Sequence, residues 1–303
     1  MESVGQNKSQ PLAILAGFGL VAITALQFSA ARFSLREHLT AADIVILRFG
    51  GAAIAFMPIF WYTGLAKVRA LGMRRAAILA LLAGLPYPLI INQGLSLAPA
   101  SHAAALCPAS IVLFTFLISR FLLGERAKNA TILGIGAIVA GLLLFVIPLN
   151  EVSQDTLVGD ALFVVSGALF ALYGILLRGW RVPPVTATGA VVLLSCLPLP
   201  LLHFFAPSGI GMASPGEIAA QIVIQGFLAG AAAIVLFSFA ATRLGPQAAS
   251  LFLPWTPVAT AAIEMVFLGE IPNAQRSLGI GTMMGGMLLP YLVGFVKQPM
   301  FRL

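Results

Sequence analysis

Three observations predict an all-α, polytopic membrane protein of ten transmembrane helices arranged as two inverted five-helix repeats. Of 303 residues, 60% are apolar and only 9% are charged, against roughly a quarter charged in ordinary soluble domains. The apolar residues form long runs with short polar gaps. An ordered series of motifs recurs about 145 residues apart. A soluble fold of this size could not cover its surface with so few charges. A bilayer supplies the missing apolar solvent, at about 20 apolar residues per spanning helix.

The spans expected are 11–31, 42–62, 75–97, 102–121, 130–149, 158–178, 185–206, 216–239, 246–267 and 275–296. The connections are too short for a soluble domain, so function must reside in the helices. No cleavable signal is expected, because the first run is long enough to span and lacks a small-residue cleavage site. Orientation follows from Lys and Arg. With the N-terminus cytoplasmic, thirteen lie in inside segments and three (Arg32, Arg36 and Arg276) in outside segments. That bias predicts both termini inside. The net charge of +7 is thus a topology signal. Without a basic stripe interleaved with aromatics, it does not predict a nucleic-acid partner.

Taken in order, each span adds its own polar groups. The first carries Gln27 and the second Arg48. The third carries Tyr87 between Pro86 and Pro88, then the adjacent carboxamides Asn92 and Gln93. Two neighbouring carboxamides cannot both face lipid with satisfied donors, so at least one should face inward. The fourth opens with Ser101 and His102 and contains Pro108, which shares a face with Ser101, Thr115 and Ser119. The sixth has Asp160 at its start and Tyr173 further on, and the eighth has Gln225 and Ser238. In the ninth, Ser250, Pro254, Pro257, Ala261 and Glu264 fall at i, i+4, i+7, i+11 and i+14, one helical stripe. Trp255 follows Pro254. A proline inside a span frees a carbonyl that needs a partner or a water-lined cavity. A packed Ser/Thr seam explains the same stripes equally well.

The repeat is read from Pro108, Leu123-Gly124-Glu125, Gly134, Gly136 and Gly141. These match Pro254, Leu268-Gly269-Glu270, Gly279, Gly281 and Gly286. The offset is 146 at the prolines and 145 afterwards, and Gly84 matches Gly230 at 146. The units are 11–149 and 158–296. Five helices per unit is an odd number, so the second copy enters the membrane inverted. Loop charge agrees: Arg126 and Lys128 in one copy become Ile271 and Asn273 in the other. Gly281 with Gly285, and Ala137 with Gly141, have small-xxx-small spacing. Such spacing packs the two halves or supports a homodimer, while a monomer suffices for function.

This layout, with the Pro and Leu-Gly-Glu spacing, the Gly-spaced last helix of each half and the stretch Asn92-Gln93-Gly94-Leu95 through Ser101-His102, resembles the drug/metabolite transporter superfamily. Within it the chain is similar to EamA-type exporters, and to their YddG-type amino-acid exporter branch. The resemblance implies a secondary transporter in a bacterial inner membrane that exports amino acids or related metabolites by alternating access. A multidrug exporter of the same superfamily and a passive channel are the alternatives. One departure from symmetry is Arg48, opposite Leu194 in the second copy.

The candidate substrate cavity comprises Gln27, Tyr87, Asn92, Gln93, Ser101, Pro108, Tyr173, Gln225, Ser238, Ser250, Pro254 and Trp255. Arg48, His102 and Glu264 are candidates for an outer gate or for coupling. All three are read toward outer helix ends, with Arg48 either snorkelling or pairing with Glu264 or Asp43. Asp43 and Asp160, at helix starts, read as caps. No phosphate-binding loop or zinc-protease motif occurs. An enzyme is therefore not expected, nor a cofactor or metal. The expected partners are a small-molecule substrate and the lipid bilayer.

Overall fold

A computed structural model describes residues 3–63, 66–121, 124, 129–146, 153–244, 252–270 and 273–297. Within helices, some side chains, Ser238 among them, lie outside the described set.

Helix occupies the described residues of each of the ten expected spans, apart from short breaks; 147–149 and 246–251 lie outside those residues. Six spans are single helices: α1 (Ser3–Glu37), α2 (Ala41–Thr63), α6 (Ala100–Phe121), α7 (Asn129–Val146), α8 (Gln154–Gly179) and, last in the chain, α14 (Ala274–Lys297). The other four are assembled from pieces. The third is α4 (Met73–Ala83) plus α5 (Pro86–Leu97), preceded by a short α3 (Ala66–Leu71). The seventh is α9 (Pro184–Cys196) plus α10 (Leu199–Phe205). The eighth is α11 (Pro215–Gln221), a π-helical stretch (Ile222–Ala232) and α12 (Ala233–Leu244). The ninth is a 3-10 turn (Leu253–Trp255) plus α13 (Thr256–Phe267). Among the described residues, six stretches are long and apolar enough to cross a membrane, or seven if α9 and α10, bent by 40°, count as one.

Local chemistry sets the helix starts. Thr40 and Asp43 form a reciprocal cap at α2, with Asp43 Oδ2 accepting from Thr40 N at 2.9 Å and Thr40 Oγ1 accepting from Asp43 N at 3.2 Å. The cap of α8 is Ser153, whose hydroxyl accepts from Thr156 N at 3.2 Å. Ser214 caps α11 by accepting from Glu217 N at 3.1 Å, with Pro215 in the first helical position.

The two halves exchange packing partners reciprocally. Helix α1 lies on α12 and α13, as α8 lies on α5 and α6. Helix α2 lies on the π stretch, as α9 lies on α4. Helices α7 and α14 pair with each other along a glycine seam. A Cβ at Gly134 would stand 2.5 Å from the Gly286 carbonyl oxygen, and one at Gly141 would stand 2.9 Å from that of Gly279. Only hydrogen fits there, and the absence of side chains allows this close backbone approach. Gly281 and Gly285, the pair with GxxxG spacing, face the other way with nothing within 4 Å. The seam between halves therefore uses Gly279 and Gly286, which flank that pair two positions before it and one after it.

Candidate functional site

Five polar side chains from four helical segments converge inside the bundle. Gln27 comes from α1, Arg48 from α2, Tyr87 and Asn92 from α5, and Gln225 from the π stretch; all five line one cavity. Phe28, Ile91 and Leu95 supply its apolar wall. At 1.5 Å of rise per residue, these polar groups lie about 7–15 Å below the helix ends on their side. In a hydrocarbon layer of about 30 Å that is near mid-depth.

Two glycines explain the convergence. Gly51 follows Arg48 by three residues on α2, and Gly226 is adjacent to Gln225. A Cβ at Gly226 would lie 2.6 Å from Gly51 Cα, so the two backbones cross in contact. This crossing brings the guanidinium to the amides. Arg48 Nη1 donates to Gln27 Oε1 at 3.2 Å and to Gln225 Oε1 at 3.0 Å. Gln225 Nε2 donates to the Gln27 carbonyl at 2.9 Å, tying α1 to the π stretch. On the opposite wall, Asn92 Nδ2 donates to the Pro88 carbonyl at 2.8 Å. The Tyr87 ring packs on Phe170 at 5.0 Å, and Phe170 on Tyr173 at 5.3 Å.

The sequence reading of Arg48 is corrected here. Its bonds go to interior amides, so it does not snorkel. It pairs with neither Glu264 nor Asp43, because both carboxylates are committed elsewhere. Asp43 also accepts from Ser208 Oγ at 2.7 Å and Gly209 N at 2.8 Å, which ties α2 to the chain before α11. Glu264 is fully buried. It accepts from Ala100 N and, at 2.8 Å, from Ser101 N, and so caps α6 from the other half. Asp160 is not a cap either: it lies in the second turn of α8 and meets His102 Nδ1 at 2.7 Å, both buried. The His102 ring stands edge-on to Phe145 at 4.6 Å.

The remaining candidates scatter. Gln93 is exposed while its neighbour Asn92 is buried, so only one of the two carboxamides turns inward. Ser101 belongs to the Glu264 cluster. Tyr173 reaches the cavity only through Phe170. Pro108 is half-buried on α6 and does not line the cavity. Pro254 is buried in its 3-10 turn, and Trp255, 50% exposed, points away. Ser250 and the Ser238 side chain lie outside the described residues.

A belt of polar bonds, absent from the expectations above, lies at one end of the bundle; all but the first, which is within the first half, join the two halves. Arg32 Nη1 donates to the Leu95 carbonyl at 2.6 Å, near the end of α5. Glu270 accepts from Arg32 at 3.3 Å and from Arg36 at 2.8 Å. Gln221 Nε2 donates to the Ala30 carbonyl at 2.7 Å and to Ser34 Oγ at 3.0 Å, and His38 meets Glu217 at 3.3 Å. These contacts lie at the end where α1 finishes and α6 and α11 begin. At the opposite end the halves meet through rings: Phe18 on Phe252 at 5.3 Å and Arg75 over Trp180 at 5.4 Å. Glu270 belongs to a Leu-Gly-Glu motif that reads as purely structural. The sign of Arg32 and Arg36, on the same side, was the available signal.

Comparison with known proteins agrees with this architecture. The chain is 27% identical over 259 residues to a "Probable terminal-alkyne amino-acid exporter" of Streptantibioticus cattleyicolor, covering 84% of this chain and 81% of that protein. A solved crystal structure superposes with a TM-score of 0.63 over 95% of this chain and 99% of its own, at 18% identity, a likeness of fold. The model of the EamA-like transporter family matches residues 11–147 and again 157–292. This all-α, polytopic, two-repeat membrane protein therefore belongs to the EamA-like transporter family.

Proposed function

We propose that the chain is a secondary transporter that exports amino acids or related small metabolites across a bacterial inner membrane by alternating access, with both termini cytoplasmic. One observation carries this reading. A polar cavity at mid-depth is built from both halves and lies beneath an end that ion pairs hold shut between them. In an apolar solvent, buried polar groups are costly unless they serve a ligand or a partner. A cavity between repeats, sealed on one side, is what rocking of two units about a central site requires. The positive-inside count assigns the sealed end to the outer face. The exporter name of the relative supports amino acids as the first solutes to test.

The test is uptake into proteoliposomes of a panel of amino acids and cationic drugs, with and without a pH gradient. Saturation and acceleration by solute on the far side identify a carrier. Unsaturable flux without counterflow would replace the carrier with a channel. Transport of drugs alone would move the substrate class to multidrug export.

A further inference from the structure

Among the described residues, nothing neutralises the charge of Arg48. Its two bonds, both from Nη1, go to neutral amide oxygens. The carboxylates of Asp43, Asp160, Glu217, Glu264 and Glu270 are each engaged elsewhere. Asp155 sits in the first turn of α8 and Glu37 is exposed at the end of α1. Among the described residues, then, no carboxylate pairs with Arg48. A guanidinium has five N–H donors in a planar fork, suited to bidentate capture of a carboxylate. Arg48 lines the cavity, and its Nε and Nη2 make no bond to Gln27 or Gln225.

The rest of the cavity narrows the ligand. Beside the guanidinium stand apolar Phe28, Ile91 and Leu95, which suit a hydrocarbon side group. Tyr87 and Asn92 offer neutral hydrogen-bonding groups. Among the described residues, no carboxylate lines the cavity to receive an ammonium group. The cavity as it stands holds only about 10 Å³, room for about one water. The surrounding helices must part before any solute enters, and the Arg48 guanidinium is the charged group that its carboxylate meets.

We infer that Arg48 is the anion-binding group of the transport cavity, and that the solute is a small acid with an apolar side group whose amino group is dispensable. This rests on the transport reading above and specifies its substrate class. Aliphatic 2-oxo acids and N-acylated amino acids are accepted alongside amino acids with apolar side chains.

The test uses the purified full chain in detergent, with hexanoate and its uncharged analogue hexanamide as probes and thermal unfolding as the readout. Hexanoate is expected to raise the Tm and hexanamide is not. In Arg48→Gln, hexanoate affinity is expected to fall roughly ten- to hundredfold, the loss of charge-assisted bonds. Arg48→Lys keeps the preference for acid over amide at weaker affinity. Should Arg48→Gln fail to fold, the acid–amide comparison in the native chain and in Arg48→Lys still decides. Equal stabilisation by both probes, no stabilisation by hexanoate, or unchanged affinity in Arg48→Gln would overturn the inference. A second arm measures inhibition of leucine counterflow by 4-methyl-2-oxopentanoate, and inhibition is the expected result. Arg48-dependent hexanoate binding without leucine transport would refute the amino-acid reading and leave the anion site standing. Leucine transport blind to the oxo acid would do the reverse.

Discussion

Each half interrupts its third helix, and the two interruptions are built differently. In the first half, α4 ends at Ala83, the chain turns at Gly84 and Leu85, and α5 begins at Pro86. The backbone leaves helical geometry at Gly84, with ψ −142°, and Pro86 takes the first position of α5, where its missing N–H costs nothing. The freed Leu85 N–H donates to Ser195 Oγ of α9, in the other half, at 3.1 Å. In the second half, the ladder widens without proline into a π stretch of 11 residues, Ile222–Ala232, continued where Ala233 N–H bonds the Leu228 carbonyl. Here the contact with the other half is backbone on backbone, Gly51 against Gly226, beside the bond Gln225 accepts from Arg48 and the one it donates to the Gln27 carbonyl. One interruption is held by a hydroxyl and the other by a steric fit. Proline alone does not decide a break, since Pro58, Pro108 and Pro290 lie inside continuous helices. A π stretch survives only where a partner rewards its extra width, and such stretches concentrate at functional sites. Only the second interruption meets a charged side chain at the cavity, Arg48 of α2, which donates to Gln225.

The largest effect should come from closing the steric fit. Gly226→Leu drives a side chain into the α2 backbone and should cost about 3 kcal/mol, the upper end of overpacking. Thermal unfolding in detergent would register this, with loss of transport; a native-like Tm would show that the crossing yields easily. Ser195→Ala should cost about 1–2 kcal/mol by orphaning the Leu85 N–H. Chemical denaturation measures it, and a loss matching that of Gly226→Leu would erase the distinction between the two interruptions. Glu270→Gln, at a partly exposed ion-pair cluster, should cost about 0.5–1 kcal/mol. Its more telling readout is accessibility of a cysteine at position 91 to an externally added thiol reagent, which should rise if the belt holds the outer end shut. Least of all, Gly281→Ala should stay within about 0.5 kcal/mol of native, because nothing approaches that glycine within 4 Å.

Composition and run length dictated the helices, because continuous apolar runs of about 20 residues suit spanning helices and not the short alternating strands of a barrel. The ten segments were readable for that reason, and the motif offset by self-comparison. The π stretch was not readable, since its residues carry no mark distinguishing them from an α-helix. At the site, the inward turn of Asn92 and the convergence of Gln27, Tyr87 and Gln225 followed from the cost of exposing amides to lipid. That cost says a group must turn inward and is silent on whom it meets. Hence Arg48 was matched to Glu264 on charge alone, whereas Glu264 caps α6 and Arg48 rests on two glutamines.

What the sequence determined by itself is the solvent, the helical segments and the duplication, all set by local composition or by self-comparison. What only the tertiary structure decided is which polar groups meet. Partner choice depends on where backbones cross, and those crossings depend on glycine pairs such as Gly51 with Gly226 and Gly134 with Gly286. Partners in a pair lie about 150 or more residues apart. Along the chain one such glycine looks like any other, and only in the fold does each reveal the surface it was kept small to admit.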